Sequence, residues 1–186
     1  MARKSPIAVL VAGFLIISPQ PMRAAQPAWQ VCFTPGGQCT RLIIEEIEGA
    51  RHTILVQAYS FTSAPILSAL KAAHARGVEV EVIVDKTSAR PSPSGSRYSA
   101  ATYLTNAGIP VWVDSKVAIA HNKVMVLDDA TVITGSFNFT AAAQNHNAEN
   151  LLVIIDPALA DEYRENWQHR RAVATPYGAP AAGQAG

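Results

Sequence analysis

Between Thr53 and Val113 the chain alternates two kinds of segment. Thr53–Tyr59 (TILVQAY) is apolar and β-branched and reads as a buried strand. Val78–Val84 alternates Val with Glu before Ile83-Val84, a strand with one wetter face. Ile109–Val113 is the next. The stretches between them have helical character: Ala64–Arg76, with Pro65 in its first turn and Gly77 at its C-cap, and Tyr98–Ala107, ended by Gly108. Strands separated by helix-length segments must run parallel and need helices on the sheet faces. Beyond Val113 the pattern changes. Val124–Leu127 and Thr131–Thr134 flank Asp128-Asp129, a tight hairpin turn. Leu151–Ile155 adds a strand, and Ala158–Arg171 closes as an amphipathic helix. In front lie a short strand, Trp29–Phe33, and a helix, Arg41–Ala50, with Thr40 as its N-cap. The expectation is an α/β domain with a mixed β-sheet flanked by helices. A Ser/Pro-rich loop occupies 86–96 (KTSARPSPSGS).

The ends fall outside this pattern. Arg3 and Lys4 precede an apolar run from Pro6 to Ile17, then Pro19 and Pro21 and the small pair Ala24-Ala25. That order is a signal peptide's, and the run is shorter than the about 20 residues that span a bilayer. Residues 1–24 are read as the signal, with an uncleaved anchor as the alternative. The domain is assigned to 25–173, and 174–186, rich in Ala, Pro and Gly, to a disordered tail. Cleavage after Ala24 leaves 12 basic and 14 acidic residues, a net charge of −2. The mature chain is therefore no bulk polycation, and a polyanion must be held by a local cluster. The 49% hydrophobic content excludes a disordered chain, and two cysteines exclude a Cys₄ zinc site. Export, to the bacterial periplasm or beyond, makes a local Cys32–Cys39 disulfide the expected state, across a turn-rich spacer. No stable membrane insertion is expected once the signal is removed.

Chemistry concentrates in 121–138, HNKVMVLDDATVITGSFN. His121 and Lys123 are two apart, which places them on one face of a strand. Four apolar residues follow, so the pair stands at the mouth of a buried strand, an expensive place for an ammonium without an anionic partner. Taken singly, each has a bland reading as an exposed histidine or a solvated strand end. The hairpin brings Gly135, Ser136 and Asn138 back toward them. Gly135 permits a special backbone angle or a close approach. Together these residues supply a nucleophile or base, a fixed cation and neutral donors, a set suited to holding and attacking a phosphate.

His121, Lys123 and Asp128 match HxKxxxxD, and Gly135, Ser136 and Asn138 match the GSxN that follows. This resembles the HKD motif of the phospholipase D superfamily. Six specified positions at roughly 5% usage each give a chance match of about 10⁻⁸ per start. AYSFTS at 58–63, GSFNFT at 135–140 and the ENWQHR helix near residue 167 are similar to small exported bacterial endonucleases of that superfamily with one motif per chain. The likeness runs from about residue 29 to residue 171.

The resemblance implies a metal-independent phosphodiesterase with no cofactor. One histidine attacks phosphorus to form a phosphohistidine, and a second serves as acid and then base. With one motif per chain, the site is completed in a homodimer by His121 of each copy. The resemblance makes His121, Lys123, Asn138 and Glu149 catalytic, with Glu149 accepting a hydrogen bond from the imidazole. Asp128 is read as structural, since Asp suits a turn. Gly135 supports the loop, and Ser136 is a supporting or phosphate-contacting hydroxyl. Tyr59-Ser60-Phe61 either lines the site floor, with Ser60 against substrate, or is core. Lys86, Arg90 and Arg97 either contact the nucleic-acid backbone or belong to a solvated loop. The leading function is a non-specific endonuclease acting on DNA, with RNA left open as an alternative polymer. The alternative is a phospholipase D-type hydrolase of phosphatidyl or cardiolipin-like esters. A binding module without activity is the non-enzymatic rival, disfavoured by the complete motif.

Overall fold

The computed structural model describes residues 28–90 and 99–178. The proposed signal at 1–24, Arg97 with most of the Ser/Pro-rich loop, and 179–186 lie outside the described residues. Eight strands form one mixed sheet in the order β1-β7-β6-β5-β2-β3-β4-β8. The parallel half comprises β2 (Thr53–Ala58), β3 (Glu79–Asp85) and β4 (Val111–Asp114), joined through α2 (Ala64–Ala75) and α3 (Ala100–Asn106). The antiparallel half comprises β5 (Lys123–Leu127), β6 (Thr131–Gly135), β7 (Glu149–Ile155) and β1 (Ala28–Thr34). The halves meet where β5 pairs antiparallel with β2.

Every residue of β5 is buried, because the strand is covered on both faces. Met125 and Leu127 enter the main core beneath α1 (Cys39–Gly49) and α2. Val124 and Val126 face a smaller cluster with Val132 and Ala160 of α5 (Pro157–Val173). The Trp167 indole N–H donates to the Val56 carbonyl at 3.0 Å and pins α5 to the sheet. The hairpin turn has Asp128 and Asp129 at φ of 51° and 52°, both left-handed, as a two-residue turn of this twist demands. The Asp128 carboxylate also accepts the backbone N–H groups of Arg51, His52 and Thr53 at 2.7–2.9 Å. The turn is thereby fastened to the start of β2.

Several boundaries differ from the sequence reading. Thr175–Pro176, assigned to the tail, form β8 and pair with β4, and the Tyr177 N–H bonds Val111 O at 2.8 Å. The described domain therefore continues past 173. The first helix starts at Cys39, two residues before the expected Arg41, with Gln38 and not Thr40 at its N-cap, and its first residue is disulfide-bonded to Cys32 of β1. Ser99 caps α3 by accepting from Thr102 N, so that helix starts later than Tyr98. A short helix, α4 (Ala141–Asn145), carries no sequence periodicity and was not anticipated. On β1, Trp29, Val31 and Phe33 are exposed along the face opposite Cys32. No described helix is long and apolar enough to cross a membrane.

Candidate active site

The site forms where β2 ends and β5 begins, at the register pair Ala58–Lys123. Both parallel strands β2 and β3 end on this side, and their carboxyl-end loops hold the segment entering β5. Asp85, which is 1% exposed, accepts the Ala120 N–H at 2.8 Å through one carboxylate oxygen. Its other oxygen accepts the Thr87 N–H at 2.8 Å and the Thr87 hydroxyl at 2.7 Å. Burial pulls the Asp85 pKa upward, but the bonds from Thr87 and Ala120, with Lys86 nearby, outweigh it and hold the pKa below the ordinary value. On the other side of His121, Asn122 is gripped twice. Its carbonyl accepts Tyr59 N–H at 2.8 Å, and its side-chain amide donates to Gln57 Oε1 at 2.6 Å.

His121 is thus exposed on a segment tied down at both neighbours. Its ring lies 4.6 Å from the Tyr59 ring. Lys123 is 6% exposed, donates through Nζ to the His121 carbonyl at 2.7 Å, and stands 5.0 Å over Tyr59. Burial pushes its pKa down, and Glu149 partly restores it. The aromatic ring and carbonyl therefore hold an ammonium that has few water contacts, in keeping with a cation kept for an incoming anion.

Across the cleft, Gly135 has a φ of +141°, and a Cβ there would sit 2.4 Å from the Asn150 carbonyl oxygen. That carbonyl accepts both Ser136 and Phe137 N–H at 3.1 Å, so glycine is required by the close approach. The Ser136 hydroxyl donates to Glu149 Oε2 at 2.5 Å and accepts Asn150 N–H at 3.1 Å. Asn147 Nδ2 donates to Glu149 Oε1 at 3.0 Å. Among the described residues the hydrogen-bond partners of Glu149 are Ser136 and Asn147, and the bond expected from the imidazole is not among them. Buried Phe137 and Phe139 bracket Asn138, whose Oδ1 is buried without a partner among the described residues.

These groups line one open cleft of about 580 Å³. It brings together His121, Lys123, Gly135, Ser136, Asn138 and Glu149. Asp128 is elsewhere, at the far end of the hairpin, in the structural position expected of it. Ser60 does not line the cleft, and Phe61 packs edge-on against Phe139 at 5.5 Å in the core. The Lys86 ammonium donates to the Val117 carbonyl at 3.2 Å, bracing the loop before His121. Arg90 is exposed at the edge of the described segment. The sequence reading missed Asn122, Thr134 and Tyr163 in the lining. Tyr163 shares a helical face with Leu159 and Trp167, so its inward direction was legible, but not the end of the sheet it meets. Among the described residues, no group of three or more His, Cys, Asp and Glu gathers that could hold a metal ion.

Comparison with known proteins agrees with this geometry. Residues 43–171 match the family described as "Cardiolipin synthase, PLD-like domain". A protein named phospholipase D from Rickettsia bellii is 45% identical over 141 residues, 76% of this chain and 68% of its own length. The mitochondrial cardiolipin hydrolase of Xenopus laevis is 30% identical, over 69% of this chain and 59% of that protein. The crystal structure of Nuc from Salmonella typhimurium, titled a phospholipase D family member, superposes with a TM-score of 0.75. It is 40% identical, over 82% of this chain and 99% of that one. NucT from Helicobacter pylori shares the fold, with a TM-score of 0.72 at 24% identity, over 82% and 100% of the two chains. The chain belongs to the phospholipase D superfamily. Within it, the protein is a phosphodiesterase carrying one HKD motif.

Proposed function

We propose that this phosphodiesterase is an exported endonuclease that hydrolyses DNA, and RNA as a further substrate, without a metal ion or cofactor. The observation that carries the reading is the cleft itself: an exposed imidazole beside a buried ammonium, on polar walls where Val124 is the one aliphatic lining residue. In the proposed reaction the His121 imidazole attacks phosphorus, and the bond to the leaving oxygen breaks. The partner subunit's His121 gives that oxygen its proton. Water then loses a proton to the same partner imidazole and attacks phosphorus, and the phosphorus–nitrogen bond breaks to free His121. Lys123 neutralises the non-bridging oxygens, and Asn138 meets a donor or acceptor of the reacting group. Glu149 acts through Ser136 on the cleft wall.

The second histidine comes from a homodimer. His121 is the one histidine among the residues lining the cleft. The exposed strip of Trp29, Val31 and Phe33 offers apolar area for a second copy. Export is supported by the Cys32–Cys39 disulfide, a bond favoured outside the reducing cytosol.

A second reading is a phospholipase D-type hydrolase of phosphatidyl or cardiolipin-like esters, favoured by the names of the Rickettsia and Xenopus relatives. The polar lining favours the nuclease. Purified protein assayed in excess EDTA on plasmid DNA, RNA and a phosphatidyl ester separates the two. DNA cleavage that persists in EDTA supports the proposal. Turnover of the ester alone would install the second reading, and a strict divalent requirement would remove the mechanism.

A further inference from the structure

The catalytic cleft does not end at Lys123. A second hollow of about 330 Å³ continues from it between β5 and α5, lined by Gln57, Asn122, Val124, Glu162, Tyr163 and Asn166. The two share Asn122, Val124 and Tyr163, so this second trough adjoins the first. Their chemistry differs. The first holds His121 and Lys123. The second, among the residues that line it, holds no Lys or Arg and carries the Glu162 carboxylate.

That contrast limits what the second trough accepts. A second phosphate there would face a carboxylate with no cation to offset it. An acyl chain would strip water from three carboxamides without replacing their hydrogen bonds. What fits is a flat, uncharged group with hydrogen-bonding edges. Gln57 is 4% exposed, and its Oε1 accepts from Asn122 Nδ2 at 2.6 Å, which fixes the orientation of both amides. Asn166 is exposed on the opposite wall, one turn along α5 from Tyr163, whose ring is half-buried against the β5–β6 cluster. Carboxamides pair with heterocycle edges, and a fixed aromatic ring stacks on heterocycle faces.

We propose that this trough is a subsite for the nucleobase beside the scissile phosphate, with Tyr163 meeting its face and Asn166 and Gln57 its edge. The proposal rests on the nuclease reading and deepens it. It makes recognition depend on a base, whereas the cleft alone needs only a phosphodiester.

The test compares a single-stranded oligonucleotide with a stable abasic oligonucleotide of the same length, for the wild-type chain, Asn166→Ala and Tyr163→Leu. The readout is the ratio of kcat/KM on the two substrates. The wild type should prefer the base-bearing strand about 10-fold, the scale of one stacking contact. Both variants should bring the ratio toward one, chiefly through KM on the base-bearing strand. Asn166 is exposed, so its variant keeps the test valid if Tyr163→Leu fails to fold. A wild-type ratio near one, or variants that keep the wild-type ratio, would overturn the subsite while leaving the nuclease reading standing. If neither strand is cut and a phosphatidyl ester is, the subsite and the nuclease reading fall together.

Discussion

The carboxylate of Asp85 accepts the amide of Ala120 at 2.8 Å, one residue before the histidine of the motif. This bond joins the end of β3 directly to the residue before His121. Asp85 therefore sets where His121 starts without facing the cleft. Asp85→Asn, which opposes an N–H with an N–H if its amide turns that way, should lower kcat by about 10–100-fold with KM nearly unchanged, the scale of a small misplacement. Thr87→Val removes only the hydroxyl bond to the same carboxylate and should cost stability while leaving kcat close to wild type. Steady-state kinetics with thermal melts on both variants check this. Equal kcat losses in the two would reduce Asp85 to a loop brace.

Lys123 should lower stability while serving activity. Its pKa is pushed down by burial, with Glu149 opposing. A cation whose folded pKa lies below its unfolded value opposes folding where both states are charged, and that opposition is relieved as pH rises through the folded pKa toward the unfolded one. Lys123→Met should keep or raise Tm at neutral pH and lower kcat by about 10²-fold or more. A melt and a turnover assay on the same sample decide it. A marked fall in Tm would mean that the bonds to the His121 carbonyl and Tyr59 outweigh the burial cost.

Asp128 should behave in the opposite sense. Burial raises its pKa, but the three amides of Thr53, Arg51 and His52 outweigh that and hold it below the ordinary range. A carboxyl depressed in this way stabilises fully above its unfolded pKa, near 4, and the contribution is lost as pH falls through the folded value. Asp128→Asn should destabilise by about 1–3 kcal/mol at neutral pH with kcat for the folded fraction unchanged. The deficit should shrink in acid, where the wild type loses the same bonds. Chemical denaturation at several pH values reads it. A pH-independent deficit would contradict the linkage.

The disulfide closes a short loop between β1 and the start of α1, with a sequence separation of 7. Loop entropy puts its contribution at about 2 kcal/mol. The Cys32→Ser, Cys39→Ser double variant should melt several degrees lower and keep its activity when folded, since neither residue lines the cleft. Loss of turnover in a sample shown to be folded would tie β1 to the site.

What the sequence showed, and what it hid, follows from the range of the forces involved. The β-branched runs and the Asp-Asp turn are local signals, and they gave the strands around the site to within a residue or two. Asp128's role was readable because a turn residue's work is local. The bond from Ser136 to Glu149 was not, because it depends on the register of β6 against β7. Tyr163 was missed in the cleft for the same reason: a helical face is written in the sequence, but the strand it crosses is not. β8 escaped notice because a two-residue strand has no period to detect.

The placement of β1 has a kinetic meaning. Ala28 pairs with Ile155 and Thr34 with Glu149, so the first strand of the described chain waits for the seventh. Until β7 exists, Trp29, Val31 and Phe33 sit on an unpaired segment with both edges open. Such distant pairing is slow, and an unpaired apolar strand is a template for aggregation. That edge of the sheet joins the first described strand to the seventh, and the antiparallel half that carries the GSxN wall becomes fully paired only once the chain as far as Ile155 is present.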